Sequence, residues 1–442
     1  MAPMPPQPTD AASGRIAAWA GAVVVAVLAA TLAGAALDMW RRRRAEKAAD
    51  ARQLPGWAAG MLASSYALLL PGLFAHLFVA RTDFVFFGIV RNLSAYDETM
   101  VSLVRHLGHD GMWMGAILVT VYAMVIPVLK LVLLALGLLL RERNTRWARR
   151  CISVVQVISK WACPDMFAYI LLTCLMRGLN KPPTLRSGMT LDLGFTCFSV
   201  FCVASTVSSL GIQLPEVPAR EAAGTETRVP RRLQGRSAVA AVVALTVAFV
   251  CSFAVGLVRP SMSLHMDMAL LYEVRPDLKA MAPVFESVHL GDLLHKTVSV
   301  WECVASLAGW VVDGEVNAFI ALVLYAGFAV LLPVVDMALI LAATLADLRP
   351  DAAPATERWS AKALALSRKL RKLSMLDVSV MGSFVVVVSL ASMREKGVIV
   401  DVRSGALALL VAEACRYAAS GIAQRAHACH SEAAERSDEA VV

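Results

Sequence analysis

The chain is poor in charged residues and lacks the common local motifs of catalysis. Only 17% of its 442 residues are Asp, Glu, Lys or Arg, against about 25% in soluble domains. It has no phosphate-binding G-x-x-x-x-G-K-[ST] loop, no G-x-S-x-G elbow, no H-E-x-x-H pair and, among nine cysteines, no C-x-x-C. These motifs mark nucleotide hydrolysis, serine catalysis and zinc sites. We therefore expect no enzyme activity, no cofactor and no bound metal.

Long apolar runs are what the sequence has instead. Hydrophobic residues make up 58% of the chain and the mean hydropathy is +0.63. Runs of roughly 18 or more apolar residues can cross a hydrocarbon core of about 30 Å. Nine segments fit or approach this length, so the sequence predicts an all-α polytopic membrane protein, integral and multi-pass, in a compartment that the sequence leaves open. The nine are 16–39, 57–79, 113–140, 164–178, 189–212, 237–258, 317–345, 375–393 and 404–420.

The net charge of +8 is distributed unevenly among the loops. Alternate loops at 41–55, 141–160, 215–237 and 346–374 hold 24 Lys and Arg, whereas those at 80–111, 177–187, 259–312 and 394–403 hold 13. Basic loops stay on the cytosolic side of a membrane. The basic excess is therefore explained by topology, and we expect no nucleic acid as a partner.

The first apolar segment stands outside the pattern of the others. It exceeds the length of a signal-peptide core and is followed at once by Arg41–Arg44. Cleavage would leave that basic loop outside, against the charge rule. An uncleaved anchor with its N-terminus outside is the favoured interpretation, and an organelle-targeting extension is the alternative.

The remaining eight segments form two similar sets of four. Pro127 in the first set matches Pro333 in the second, and Asp165 matches Asp377. Four crossings return the chain to its starting side, so the halves are predicted to be parallel repeats, with small outside segments, about an axis along the membrane normal. The predicted organisation is an anchor helix and basic loop at 1–55, a first half at 56–214, a linker at 215–236, a second half at 237–421 and a polar tail at 422–442.

The outside segments are predicted to contain both strands and surface helices. Residues 81–90 and 261–274 have the aromatic and branched content of extended structure. Residues 95–107 and 294–310 have the spacing of amphipathic helices.

Charged residues inside apolar segments are the main candidates for a functional site. Lys130 and Asp336 each follow their proline by three residues, and either charge costs about 2.5–3.5 kcal/mol at a helix centre. Equal depth and opposite sign make a Lys130–Asp336 pair plausible, as a structural link or as the lining of a substrate cavity. Glu413 is a third candidate, although Arg416 lies close enough in sequence to neutralise it.

The matched prolines and the matched aspartates each have two interpretations. Pro127 and Pro333 remove a helical hydrogen bond and free a carbonyl, which shapes packing or lines a polar cavity. Asp165 and Asp377 begin helices, where an acid favours the helix dipole. The alternative for these aspartates is a role in coupling to transport.

Three short segments resemble the paraquat-inducible protein A family of membrane proteins. They are P-x-x-K at 127–130, KWACPDMF at 160–167 and KLSMLDVSV at 372–380. The resemblance covers about residues 56–421 and implies a role in lipid transport or membrane homeostasis, with membrane lipids as partners. It also implies, if the source is bacterial, an inner-membrane location and an extracytoplasmic partner of mammalian-cell-entry-domain type. Zinc ribbons that precede each half in bacterial members are absent, because the loops 41–55 and 215–237 hold no cysteine.

Four functions remain in competition at this point. The leading one is lipid handling through a polar-lined cavity between the halves. The second is an auxiliary or structural subunit that docks a partner through its outside segments. A small-solute or ion channel is third, and a membrane-embedded enzyme is last because no catalytic pair has suitable spacing.

Overall fold

The computed structural model describes residues 10–44, 54–86, 89–182, 185–215, 236–274, 294–347, 354–391, 394 and 397–439. About 79% of the described residues are helical, which confirms the predicted all-α class. The predicted linker, 215–236, lies almost entirely outside these residues, as does most of the basic loop before residue 54. The predicted polar tail continues the last helix as far as Glu439.

The N-terminal helix and the first half comprise eight α-helices and three strands in the described residues. A π-helical turn (π1) interrupts the second long span, and a 3₁₀ turn precedes the third. The elements are α1 Asp10–Arg44, α2 Gly56–Phe74, β1 His76–Phe86, β2 Ile89–Thr99, α3 Met100–His109, α4 Trp113–Thr120, π1 Val121–Val125, α5 Ile126–Leu139, α6 Thr145–Ile158, the 3₁₀ turn Ser159–Ala162, α7 Pro164–Gly178, β3 Leu185–Leu191 and α8 Leu193–Gly211.

The second half follows the same order of long helices and strands. It has its own π-helical turn (π2) at the matching place. The elements are α9 Arg236–Val258, β4 Pro260–Met266, α10 Met268–Val274, β5 Lys296–Ser299, α11 Val300–Val312, α12 Val316–Leu322, π2 Val323–Leu331, α13 Leu332–Ala346, α14 Pro354–Leu373, α15 Leu376–Ser389, β6 Val398–Val402 and α16 Ser404–Glu439.

Eight helical segments of the described chain are long and apolar enough to cross a membrane, so the chain is an integral multi-pass membrane protein. The ninth predicted segment, α7, has only 15 residues and a length of about 22 Å. Most of α7 is buried by other helices. The eight are Ala18–Trp40, Gly56–Phe74, Trp113–Leu139, Leu193–Gly211, Ser237–Val258, Val316–Ala346, Arg358–Ser389 and Ser404–Ala428.

Each half carries a three-stranded antiparallel sheet outside its long helices. The strand orders are β2-β1-β3 and β5-β4-β6. The central strands, β1 and β4, follow directly after the first long helix of their half, and the third strands precede the last one. Each sheet therefore joins two segments that are far apart in sequence.

Two predicted surface helices begin later than their amphipathic pattern suggested. Residues 95–99 belong to β2 and residues 296–299 to β5, so the helices start at Met100 and Val300. A capping box fixes each start: Thr99 and Ser102 exchange hydrogen bonds at α3, and Ser299 and Glu302 do so at α11. Such a cap satisfies amide groups that the first helical turn leaves free.

The two halves are in direct contact along α7 and α15. A β-carbon on Gly382 of α15 would lie 2.8 Å from Phe167 Cβ and 2.9 Å from the Pro164 carbonyl oxygen. The ring of Phe167 lies 5.7 Å from that of Tyr325 in π2. This close approach packs the two short helices that begin with the matched aspartates, α7 and α15, against each other.

The extra N-terminal helix packs against the first half through small residues. A β-carbon on Gly34 would clash with the Gly56 carbonyl oxygen, and one on Gly60 would clash with the Ala30 carbonyl oxygen. Small residues let the backbones of membrane helices approach closely. Helix α1 is thus a packed part of the helical bundle.

Candidate functional site

Lys160 forms an ionic link between the two halves. The 3₁₀ turn directs its ammonium to the Asp377 carboxylate at the start of α15 and to the Tyr417 hydroxyl of α16, 3.1 Å away. Only 7% of the Lys160 side chain and 16% of the Asp377 side chain are exposed. Burial alone would lower the pKa of Lys160, but Asp377 and Tyr417 raise it above its ordinary value. The lysine is therefore charged at neutral pH.

A second buried ionic group lies wholly within the second half. The Arg416 guanidinium of α16 donates to Asp336 Oδ2 at 2.7 Å and to both carboxylate oxygens of Glu413. Ser367 of α14 donates to Asp336 Oδ1 at 2.6 Å. Arg416 and Asp336 are completely buried. The single guanidinium of Arg416 therefore pairs with two carboxylates, each of which would be costly to bury without a cation.

Tyr417 joins these two groups into one cluster. Its ring lies 5.8 Å from the Lys160 ammonium, 5.5 Å from the Arg416 guanidinium and 5.6 Å from that of Arg371, distances at which a cation is attracted to a ring face. Tyr417 is 41% exposed, so the cluster reaches the molecular surface at this residue. We call the residues Lys160, Asp377, Tyr417, Arg416, Glu413, Asp336 and Arg371 the ion cluster.

Lys130 and Asp336 are not paired with each other. The Lys130 ammonium is fully buried and donates to the Ser205 carbonyl oxygen at 2.7 Å and to the Ser205 hydroxyl at 3.1 Å. Ser205 and Arg416 occupy the same place in their halves, each 11 residues after the glycine at the start of the last helix. Each candidate thus contacts the last helix of its own half, which is why the predicted pair across the halves does not form.

The two prolines coincide with changes in helix type. π1 ends directly before the residue that precedes Pro127, and π2 stands in the same relation to Pro333. The Tyr66 hydroxyl donates to the Pro127 carbonyl oxygen at 2.9 Å. π-helical turns are rare and frequently mark functional sites. The sequence indicated the missing hydrogen bond but not the wider turn that accommodates it.

The matched aspartates have different surroundings. Asp377 accepts hydrogen bonds from Lys160 and from the backbone N–H of Val378. Asp165 is completely buried, and neither of its carboxylate oxygens has a hydrogen-bond partner among the described residues. Both aspartates lie in the first turn of their helix, and neither caps it, so the helix-start interpretation does not distinguish them.

A second set of contacts joins the halves at the other end of α7. Arg177 forms a bidentate ion pair with Glu315, in which both N–H···O distances are 2.9 Å. Its guanidinium lies 4.1 Å from the centre of the Trp310 ring. The Asn317 side chain accepts a hydrogen bond from the Thr196 hydroxyl and donates one to the Leu191 carbonyl oxygen, each at 2.6 Å. The halves are therefore held at both ends of α7.

Sequence reasoning missed Lys160 and Arg177 as candidates because both were counted as loop charges. One signal was present for Lys160. It precedes Asp165 by five residues, as Lys372 precedes Asp377. Among the described residues, no group of three or more His, Cys, Asp or Glu side chains could hold a metal ion.

Comparison with known families gives a match over most of the first half. Residues 62–213 match the sequence profile of the family described as paraquat-inducible protein A. The matched region contains Lys130, Lys160, Asp165 and Ser205. Nothing matches in comparisons with curated proteins and with solved structures.

Proposed function

We propose, on the premise that residues 62–213 belong to the paraquat-inducible protein A family, that this multi-pass membrane protein handles lipid. The polar region between its halves would hold the headgroup, while the acyl chains stay against apolar helix surface. The halves would act as parallel repeats around this region. The observation that carries the proposal is the ion cluster, which lies at the contact of the halves and is open to the surface at Tyr417.

The energetics favour a functional role for the ion cluster over a purely structural one. Each charge at a helix centre costs about 2.5–3.5 kcal/mol on insertion scales. Replacing a buried ion pair by apolar residues of similar volume is often neutral or stabilising. Packing alone would therefore be served as well by Leu or Met at Asp336 and Arg416. Retaining charge there is explained if these buried groups support the exposed end of the cluster at Tyr417, where a polar ligand can bind.

The chemistry of the exposed part of the cluster suits a phosphate-bearing headgroup. At the partly exposed Tyr417, the Lys160 ammonium donates to the hydroxyl and the Arg371 guanidinium lies 5.6 Å from the ring. Arginine binds phosphate oxygens through several N–H groups, and lysine does so as a point charge. A glycerophospholipid places its phosphate at the edge of the hydrocarbon, so the proposal puts Tyr417 and Arg371 at that depth.

The test uses a phospholipid that carries a photoreactive headgroup, in vesicles containing the purified protein. Labelling is expected on peptides around Lys160 and Tyr417. Arg371→Gln is expected to reduce it about tenfold, since a hydrogen bond to a charged group contributes about 1.5–3 kcal/mol. Arg358→Gln is the matched control, because Arg358 is an exposed cation on the same helix. Equal labelling of both variants and the wild type would contradict the proposal.

The second candidate, an auxiliary subunit that docks a partner, rests on the two sheets. In the described residues β2 and β3 are edge strands of one sheet, and β5 and β6 of the other. An edge strand can add a strand from another protein. Cross-linking from 80–111 and 259–312 tests this function. One stoichiometric protein partner, of mammalian-cell-entry-domain type or another, together with no lipid labelling at Tyr417, would favour it over lipid handling.

A further inference from the structure

Asp165 has the most unusual environment of the described acidic residues. Its exposed fraction is 0%, and neither carboxylate oxygen has a hydrogen-bond partner in the described part of the chain. Buried polar groups in proteins are nearly always hydrogen-bonded, and buried charges are paired. A carboxylate in this position has neither form of compensation.

The groups that face Asp165 come from several elements, and the cations among them are bound elsewhere. Tyr122 of π1, Tyr169 of α7 and Cys202 of α8 lie within electrostatic range of the carboxyl group. Lys130 of α5 is within range of Cys202, but its ammonium is bound by Ser205. Tyrosine hydroxyls and a thiol supply no compensating positive charge.

One more cation is related to Asp165 by the matching of the two halves, and it is Lys372 of the second half. Lys160 lies five residues before Asp165 and binds Asp377 across the contact of the halves. Lys372 lies five residues before Asp377, so a reciprocal bond would join Lys372 to Asp165. Lys372 instead donates to Gln156 Oε1 at 2.7 Å. One of the two matched cross-half ion pairs is therefore formed, and the other is not.

We propose that Asp165 is a proton-binding site in the interior of the first half. In this conformation the carboxylate and a proton form the neutral acid, because ionisation without a cation or a hydrogen-bond donor is costly in a dry interior. The proton is released when Lys372 leaves Gln156 and approaches Asp165. The carboxylic acid and the ammonium ion then become a carboxylate–ammonium pair plus one free proton.

This site gives the protein a means of coupling proton exchange to a rearrangement between its halves. Helix α7, which carries Asp165, packs against α15 of the other half at Gly382, so the proposal links a change of charge at Asp165 to the packing of the two halves. The inference does not depend on the lipid function, since it concerns the protonation of one side chain. It supplies an energy source for a chain in which no nucleotide-binding loop occurs.

The experiment is infrared difference spectroscopy of the purified full-length protein as a function of pH. At neutral pH the wild type is expected to show the carbonyl stretch of a protonated carboxylic acid, which shifts in heavy water. Asp165→Asn, which mimics the neutral acid in shape, is expected to remove this band. Asp377→Asn is the matched control and is expected to leave it. A neutral-pH spectrum in which wild type and folded Asp165→Asn are identical would overturn the proposal.

Two further measurements keep the test decisive. If Asp165→Asn does not fold, wild-type protein labelled with ¹³C in the aspartate carboxyl groups should show the band at a shifted frequency, and a label-insensitive spectrum would overturn the proposal. Lys372→Gln should raise the pH at which the band disappears. An unchanged midpoint in that variant would exclude Lys372 as the group that releases the proton.

Discussion

Removing the Lys160 ammonium tests how strongly the ion cluster holds the two halves together. Lys160→Met keeps a linear side chain of similar volume and deletes only the charge and its hydrogen bonds. In the wild type the ammonium bonds to the Asp377 carboxylate and to the Tyr417 hydroxyl. The variant leaves Asp377 mostly buried and without a cation.

The expected cost follows from the burial of this pair. Breaking a buried ion pair by removing one partner costs about 3–5 kcal/mol. Asp377 retains the N–H of Val378 at 3.0 Å and is 16% exposed, so we expect the lower end, about 3 kcal/mol. Removing both charges, in Lys160→Met with Asp377→Leu, should bring stability back to within about 1 kcal/mol of the wild type.

The assay is reversible unfolding in mixed micelles, analysed as a double-mutant cycle. The coupling free energy should be about 2 kcal/mol or more, within the range found for contacting residues. The matched control is the other bridge between the halves, Arg177–Glu315, whose acid is 41% exposed. Exposed pairs contribute about 1 kcal/mol or less. Additive effects at Lys160 and Asp377 would show that this pair does not hold the halves together.

Three other results are expected. Gly382→Val should separate α7 from α15 and lower the melting temperature, whereas Gly421→Ala, with nothing within 4 Å of the added carbon, should not; equal melting temperatures would contradict the close contact. Arg416→Met should cost about 3–5 kcal/mol in mixed-micelle unfolding because it leaves two buried carboxylates unpaired, and a neutral result would mean that they already carry protons. The pKa of Lys160 is raised, so its pair with Asp377 should stabilise the protein fully at neutral pH and weaken only as pH rises through that raised value. Unfolding at increasing alkaline pH tests this sign, and a loss of the coupling free energy near pH 7 would contradict it.

The long helices were predictable because hydropathy is a local property of sequence. The lengths of the apolar runs predicted the eight helical segments that can cross a membrane. Pro127 and Pro333 marked the positions of the two π-helical turns. The start of α3 at Met100 was predicted wrongly because an amphipathic pattern does not distinguish the end of a strand from the start of a helix. The capping pair Thr99 and Ser102 is the better signal.

The sheets were harder to predict than the helices. β3 and β6 have seven and five residues and fall in segments that read as loops or as helix starts. Their partners, β1 and β4, lie more than 100 residues earlier in the chain. Nothing local in a short strand specifies a partner at that distance.

The candidate site was predicted in its residue types but not in its pairing. Lys130, Asp336 and Glu413 are buried as intramembrane charges should be. Equal depth suggested a Lys130–Asp336 pair, but depth does not determine which neighbouring helix a side chain faces. Lys160 was missed because a lysine near a basic loop is ordinary by sequence, and only the packing of α7 against α15 makes it a link between the halves.

The presence of bound lipid at the ion cluster can be measured by native mass spectrometry of the intact protein, released from detergent under gentle conditions. We expect bound phospholipid on the wild type and on Arg358→Gln, and its loss from Arg371→Gln at equal folded fraction. Wild-type protein that carries no lipid, or lipid that is retained equally by both variants, would contradict a headgroup site at the ion cluster.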